Sequence, residues 1–174
     1  MRSTMMDAPL TITGIMRYGT TAFSGREVVT WTGESARRQS YAETGTRAAR
    51  LANALRTLGV DGDERVATLL WNNSEHLEAY LAVPSMGAVL HTLNLRLDPG
   101  QLGYIANHAA DHAVICDATL VPLLAQVLPQ TQTVRHVLVT GPADALAGYA
   151  EKLAHPGVRV HSYEELLAAA SSSS

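Results

Sequence analysis

The 174-residue chain carries 13 basic and 16 acidic side chains, and its formal net charge of −3 leaves no electrostatic footprint for nucleic acid. Hydrophobic residues make up 47%, which argues against disorder, while charged residues reach only 17%, below the roughly 25% of an average soluble protein. A single cysteine, Cys116, excludes an internal disulfide and any multi-cysteine metal site. It also suits a reducing cytoplasm.

Read in chain order, Met1–Asp7 has no apolar block suited to secretion, and no later run approaches the ~20 residues of a transmembrane segment. Gly14 to Thr21 predicts a short N-terminal helix ending at Gly19. Glu27–Trp31 and Arg37–Ser40 alternate polar and apolar residues around a turn at Thr32-Gly33-Glu34, which predicts a hairpin. Ser40-Tyr41-Ala42-Glu43 is a capping box opening a helix. That helix buries Ala48, Leu51, Leu55 and Leu58, leaves Arg47, Arg50 and Arg56 solvated, and stops at Gly59.

Arg65–Trp71 is a nearly continuous apolar strand of the kind covered on both faces. A helix follows from about Ser74 with Leu77, Tyr80, Leu81 and Pro84 on its inner side. Gly87 closes it before a strand at Ala88–Leu93. Asp98-Pro99 starts the next helix, with Leu102, Ile105 and Ala109 buried. Ala113–Cys116 is a strand, and Asp117 caps a helix Ala118–Leu128 apolar enough all round to be sandwiched. A strand at Val134–Thr140, a weaker helix at Ala143–Leu153 and a strand at Val158–His161 follow. A second capping box, Ser162–Glu165, opens a helix through Ala169. Such alternation predicts an α/β fold with a mainly parallel sheet, flanking helices and a small N-terminal hairpin. Residues 1–170 form one subdomain and 171–174 an unstructured tail.

Chemical motifs are incomplete throughout. Gly14 to Thr21 has P-loop glycine spacing, but Thr20 stands where the lysine belongs and no strand feeds it. His108 and His112 are four apart and would share a helical face, yet Ala109 replaces the glutamate of a zinc-hydrolase helix. Two solvated histidines at a helix end are the expectation. Cys116 reads as a small core residue and Asp61–Glu64 as a solvated turn. His91 ends a strand pattern, where open α/β sheets place ligand sites, although a lone histidine there is more often hydrogen-bonded into the scaffold.

One stretch says more. Glu78 to Leu97, EAYLAVPSMGAVLHTLNLRL, resembles an N-terminal signature of the AMP-forming acyl-CoA synthetases, the fatty-acid–CoA ligase branch of the adenylate-forming superfamily. Ser40–Glu43, the block from Ala48 through Gly59 to Ala67, Asn73–His76 and Asp98–His108 agree in order and spacing. The resemblance implies a parent enzyme using ATP, Mg2+ and coenzyme A to convert a fatty acid to its acyl-CoA through an acyl-adenylate. It implies a cytoplasmic protein, with peripheral membrane contact of the parent left open. The family's phosphate loop, metal ligand and C-terminal lysine have no counterpart here, so no catalytic, cofactor-binding or metal residue is carried over.

The resemblance thus leads us to expect an N-terminal fragment of a fatty-acid–CoA ligase, inactive alone, whose partner is the remainder of the ligase. His91 and Asn94 are its substrate-channel candidates. Apolar surface facing that remainder would account for the low charge and would favour self-association. The alternatives are a stand-alone interaction module, or a truncated paralogue pairing with an intact ligase; a small nucleotide-binding domain is a third, without a glycine fingerprint.

Overall fold

A computed structural model of the chain describes residue 4 and residues 8–172. Its first helix, α1 (Ile12–Ala22), covers the P-loop-spaced segment and runs past Gly19, where the sequence predicts a stop. Thr20 and Thr21 donate their hydroxyls to the carbonyls of Met16 (2.9 Å) and Arg17 (2.6 Å), so they serve the helix rather than a phosphate. The predicted hairpin follows as β1 (Glu27–Trp31) and β2 (Ala36–Ser40), antiparallel, with Glu27 opposite Ser40.

At Ser40 the capping box forms in full: its hydroxyl accepts from Glu43 N–H, and the Glu43 carboxylate accepts from Ser40 N–H at 2.8 Å. Those bonds hold the Glu43 carboxyl below its ordinary pKa. Helix α2 (Tyr41–Thr57) buries Ala48, Leu51 and Leu55 as predicted, and Gly59 leaves it at φ +85°.

Five parallel strands, β3 (Arg65–Leu69), β4 (Val89–Thr92), β5 (Asp111–Asp117), β6 (His136–Thr140) and β7 (Arg159–Ser162), form a sheet in the order β4-β3-β5-β6-β7. The connecting helices are α3 (Ser74–Ser85), α4 (Pro99–Ala109), α5 (Val121–Val127) and α6 (Leu146–Lys152), and α7 (Tyr163–Ala169) follows β7. Alternate strand residues divide between two cores. Val66, Ala113, Ile115 and Leu138 pack with α2, α3 and α7. Ala67, Leu69, Val114, Cys116, Val137 and Val139 pack with the other layer, represented by Leu102, Leu124 and Leu153.

Four helical expectations need correction. On α3 the buried residues are Ser74, Glu75, Glu78, Ala79, Ala82 and Val83, whereas Tyr80 is exposed. Leu77 and Leu81 line a crevice against α1 instead. Two carboxylates turn inward because arginines neutralise them. Accordingly Arg47 is not solvated; its side chain is 25% exposed and ion-paired. On α4 only Leu102 of the three expected residues is fully buried, with Gly103 and Ala106. The segment predicted as one sandwiched helix opens with a 3-10 turn (Ala118–Leu120), and α5 buries one face, Val121, Leu124 and Val127, while Pro122 is exposed.

His108 and His112 do not share a helix, because Ala110 adopts φ +54° and ends α4 between them. His108 stacks on Tyr104 at a centroid distance of 5.9 Å, while His112 lies in β5. At the tail, the Ser171 carbonyl accepts from Asn53 Nδ2 at 2.8 Å, and residues 173–174 lie outside the described residues. Large apolar side chains remain exposed, among them Leu10, Trp31, Tyr18 and Tyr104.

Candidate functional site

The strand order reverses at β3: β4 lies on one side and β5 on the other. Loops leaving neighbouring carboxyl ends diverge at such a point, and open α/β sheets bind ligands in the resulting crevice. Here that crevice is a cleft of about 970 Å³. Trp71 and Asn73 border it from beyond β3, Asp117 and Thr119 from the end of β5, and Thr140 and Gly141 from the end of β6. The hairpin closes the remaining side with Thr30, Trp31 and Gln39.

Each wall is fixed by a local bond. Asp117 Oδ1 accepts from Thr119 N–H (2.9 Å) and the Thr119 hydroxyl (2.7 Å), and Trp71 Nε1 donates to Thr119 Oγ1 at 2.9 Å. Gly141 at φ +129° brings the chain so near the 3-10 turn after β5 that a Cβ would sit 3.0 Å from Ala118 Cβ. Thr30 ties the hairpin to α3: its hydroxyl oxygen accepts from Ser74 N–H at 3.0 Å and lies 2.8 Å from Ser74 Oγ. His76 bridges Trp71 O and Thr68 Oγ1, and burial lowers its pKa.

Behind these walls lies the ionic network that sequence reasoning missed. Glu78, fully buried, receives Arg47 Nε (2.7 Å), Gln39 Nε2 (2.9 Å) and the Tyr163 hydroxyl (2.7 Å). Arg47 also makes a bidentate pair with Glu164 at 2.9 and 2.6 Å. Arg37 pairs with Glu75 at 2.7 Å. Burial works against the Arg47 charge, but Glu164 and Glu78 outweigh it and raise the guanidinium pKa. Burial, reinforced by the Glu78 carboxylate, raises the pKa of Tyr163. One sequence signal existed: Glu75 and Glu78 share a helical face with Ala79 and Ala82, so carboxylates sit among buried small residues.

ATP and its Mg2+ do not fit the residues of this cleft. Both arginines at its border are committed to carboxylates, the sole lysine, Lys152, is at the end of α6, and no glycine-rich loop faces it. Among the described residues no three His, Cys, Asp or Glu side chains gather as a metal site.

The two channel candidates stand apart from the cleft. His91 on β4 reaches buried Asp111 at the amino end of β5, with Nδ1 at 2.8 and 3.0 Å from the carboxylate oxygens. Burial raises the Asp111 pKa, opposed by His91 and Arg65. Asn94 is exposed and accepts from Arg96 N–H at 3.1 Å, holding the turn before α4. Cys116 is buried, and burial raises its thiol pKa.

A three-layer α/β domain with a reversed strand order and a latched hairpin is the architecture these contacts define. The chain belongs to the AMP-binding enzyme family, whose model matches residues 18–168. It is 47% identical over 139 residues to the long-chain-fatty-acid–CoA ligase of Thermus thermophilus, covering 79% of this chain and 26% of that protein. The 3-methylmercaptopropionyl-CoA ligase of Ruegeria lacuscaerulensis is 39% identical over the same length, with the same coverage. The anthranilate CoA ligase crystallised with anthranoyl-AMP superposes with a TM-score of 0.79 over 97% of this chain and 30% of its own, at 18% identity, a likeness of fold. The chain therefore spans about a quarter of the length of the relatives it matches.

Proposed function

We propose that the chain is the N-terminal α/β part of an acid–thiol ligase that activates a medium- or long-chain fatty acid with Mg-ATP and transfers the acyl group to coenzyme A. The 47% identity to a long-chain-fatty-acid–CoA ligase carries this reading. Alone, the chain is a scaffold without turnover, because the arginines at its cleft are spent on Glu75, Glu78 and Glu164. ATP–pyrophosphate exchange measured on the purified chain with octanoate or palmitate is the test. Background exchange is expected, and clear exchange above it overturns the scaffold reading.

In the complete ligase this piece supplies one wall of the acyl channel, with His91 and Asn94 at the β4 edge. Alanine at either position should shift chain-length preference or KM; unchanged values for both variants reject the assignment. Exposed Trp31, Tyr104 and Leu10 favour a covered surface, met by the rest of the ligase or by a second copy. Sedimentation at micromolar concentration decides between self-association and a monomer, and a monomer without an exposed apolar patch favours the interaction-module alternative.

A further inference from the structure

Three imidazoles stand side by side on neighbouring strands, His112 and His136 at the amino ends of β5 and β6 and His161 at the third position of β7. His136 Nδ1 is 3.1 Å from His161 Nε2, and their ring centroids are 5.3 Å apart. His112 lies 5.8 Å from His136 on its other side. It is placed there by a register shift, because Asp111 and Ala113 have partners on β3 and His112 has none. The Leu58 carbonyl, at the end of α2, lies near the His136 ring.

This arrangement fixes how many protons the pair holds. With His136 Nδ1 facing His161 Nε2 in the neutral pair, one of these two nitrogens carries the shared proton and the other accepts it. One added proton is accommodated on the far nitrogen of the donating ring, with the shared proton left between the rings. A second puts two N–H groups face to face at 3.1 Å.

We propose that the His136–His161 pair, flanked by His112, is a proton-sensitive latch between the end of α2 and the amino edge of the sheet, held by one shared proton and parted when both rings are charged. The surrounding charges favour release. Arg159 on β7 lies directly opposite His136 in the ladder, and the Glu64 carboxylate is engaged by His112 at 3.3 Å. The end of α2 adds the Leu58 carbonyl, while Arg56 in its last turn bonds Asn53. His112 Nε2 is buried without a partner, so this corner holds an unmet polar atom.

The sign follows from the environment. Burial lowers the pKa of His136, assisted by His161, His112 and Arg159; burial and then Arg159 lower that of His161. Both rings therefore bind protons less readily folded than unfolded, where histidine titrates near 6.5. Stability is full above about pH 6.5 and falls as pH drops through the folded values, up to tenfold in the unfolding constant per pH unit for each proton taken up.

Imidazole NMR of the 174-residue chain from pH 8 to 5, with urea unfolding at each pH, tests the latch. Coupled titration of His136 and His161 below pH 6.5 is expected, together with falling hydrogen-exchange protection at residues 58–60. His161→Gln, which keeps a donor for His136, should flatten the loss of stability with acid. Independent titration near 6.5, or an unchanged slope in His161→Gln, overturns the proposal. Equimolar zinc shifting both rings at pH 7.5 also overturns it, in favour of a cation site. Should His161→Gln not fold, the wild-type titration decides alone.

Discussion

Arg47 and Glu164, 117 residues apart, face each other as fork to fork, while the Arg47 Nε atom holds the fully buried Glu78. Hairpin, α2, α3 and α7 thus meet at one guanidinium and one carboxylate. Replacing Arg47 by Met leaves Glu78 buried with no cation, so urea unfolding should show a loss of about 3 kcal/mol, the low end for a broken buried pair because Arg47 is partly exposed. Arg38→Met, which breaks an exposed pair with Glu27, should cost under about 1 kcal/mol. Equal losses would refute the special weight given to the buried network.

Two glycines should respond in opposite directions to alanine. At Gly45 on α2 a Cβ would come 2.6 Å from Thr20 Cγ2, and Thr20 is stiff and tied to Met16 O. Gly45→Ala should push α1 off α2 at a cost of about 1–3 kcal/mol, read as faster tryptic cleavage after Arg17. Gly148 on α6 has open space around its Cβ direction, so Gly148→Ala should stabilise the chain by about 0.5–1 kcal/mol.

Removing the Ser40 hydroxyl should cost about 0.5–2 kcal/mol. Thermal unfolding of Ser40→Ala checks this, and Ser40→Asp should recover much of the loss by capping the same N–H.

Cys116 should be silent toward a thiol reagent at pH 8 until the chain unfolds, since burial both shields the sulfur and disfavours its thiolate. Labelling faster than the unfolding rate would contradict that.

Asp111 offers a pH dependence of opposite sense to the histidine latch. Its raised pKa means that the folded chain holds this proton more tightly than the unfolded chain. Stability from this group therefore falls as pH rises from about 4, the ordinary Asp value, through the raised one. Asp111→Asn should remove that decline, and urea unfolding between pH 4 and 6 would detect it.

Strand–helix alternation was legible because apolar runs and capping residues are local signals. Ser40, Asp98, Gly59 and Gly87 mark their boundaries where the chain turns. The inward carboxylates of α3 were not legible, since a helical stripe is sought among leucines, and Glu78 is compensated by Arg47 and Tyr163 from distant sequence. The cleft was hidden for the same reason. Trp71, Asp117 and Thr140 come together only through strand order, which no short-range pattern records. His112 and His108 looked paired because spacing assumed one helix, and a single left-handed residue, Ala110, separates them.

Strand order also sets a timetable. β4 and β5 add to opposite edges of β3, then β6 to β5 and β7 to β6, so each strand emerging from the ribosome finds a neighbour already synthesised. Glu78 has a different history: Gln39 and Arg47 precede it, but Tyr163 and the second grip of Arg47 on Glu164 arrive only with the last helix. A nascent chain halted before residue 163 would hold a half-dressed carboxylate between α2 and α3, and the first turn of α7 would act as the signal that this layer is complete.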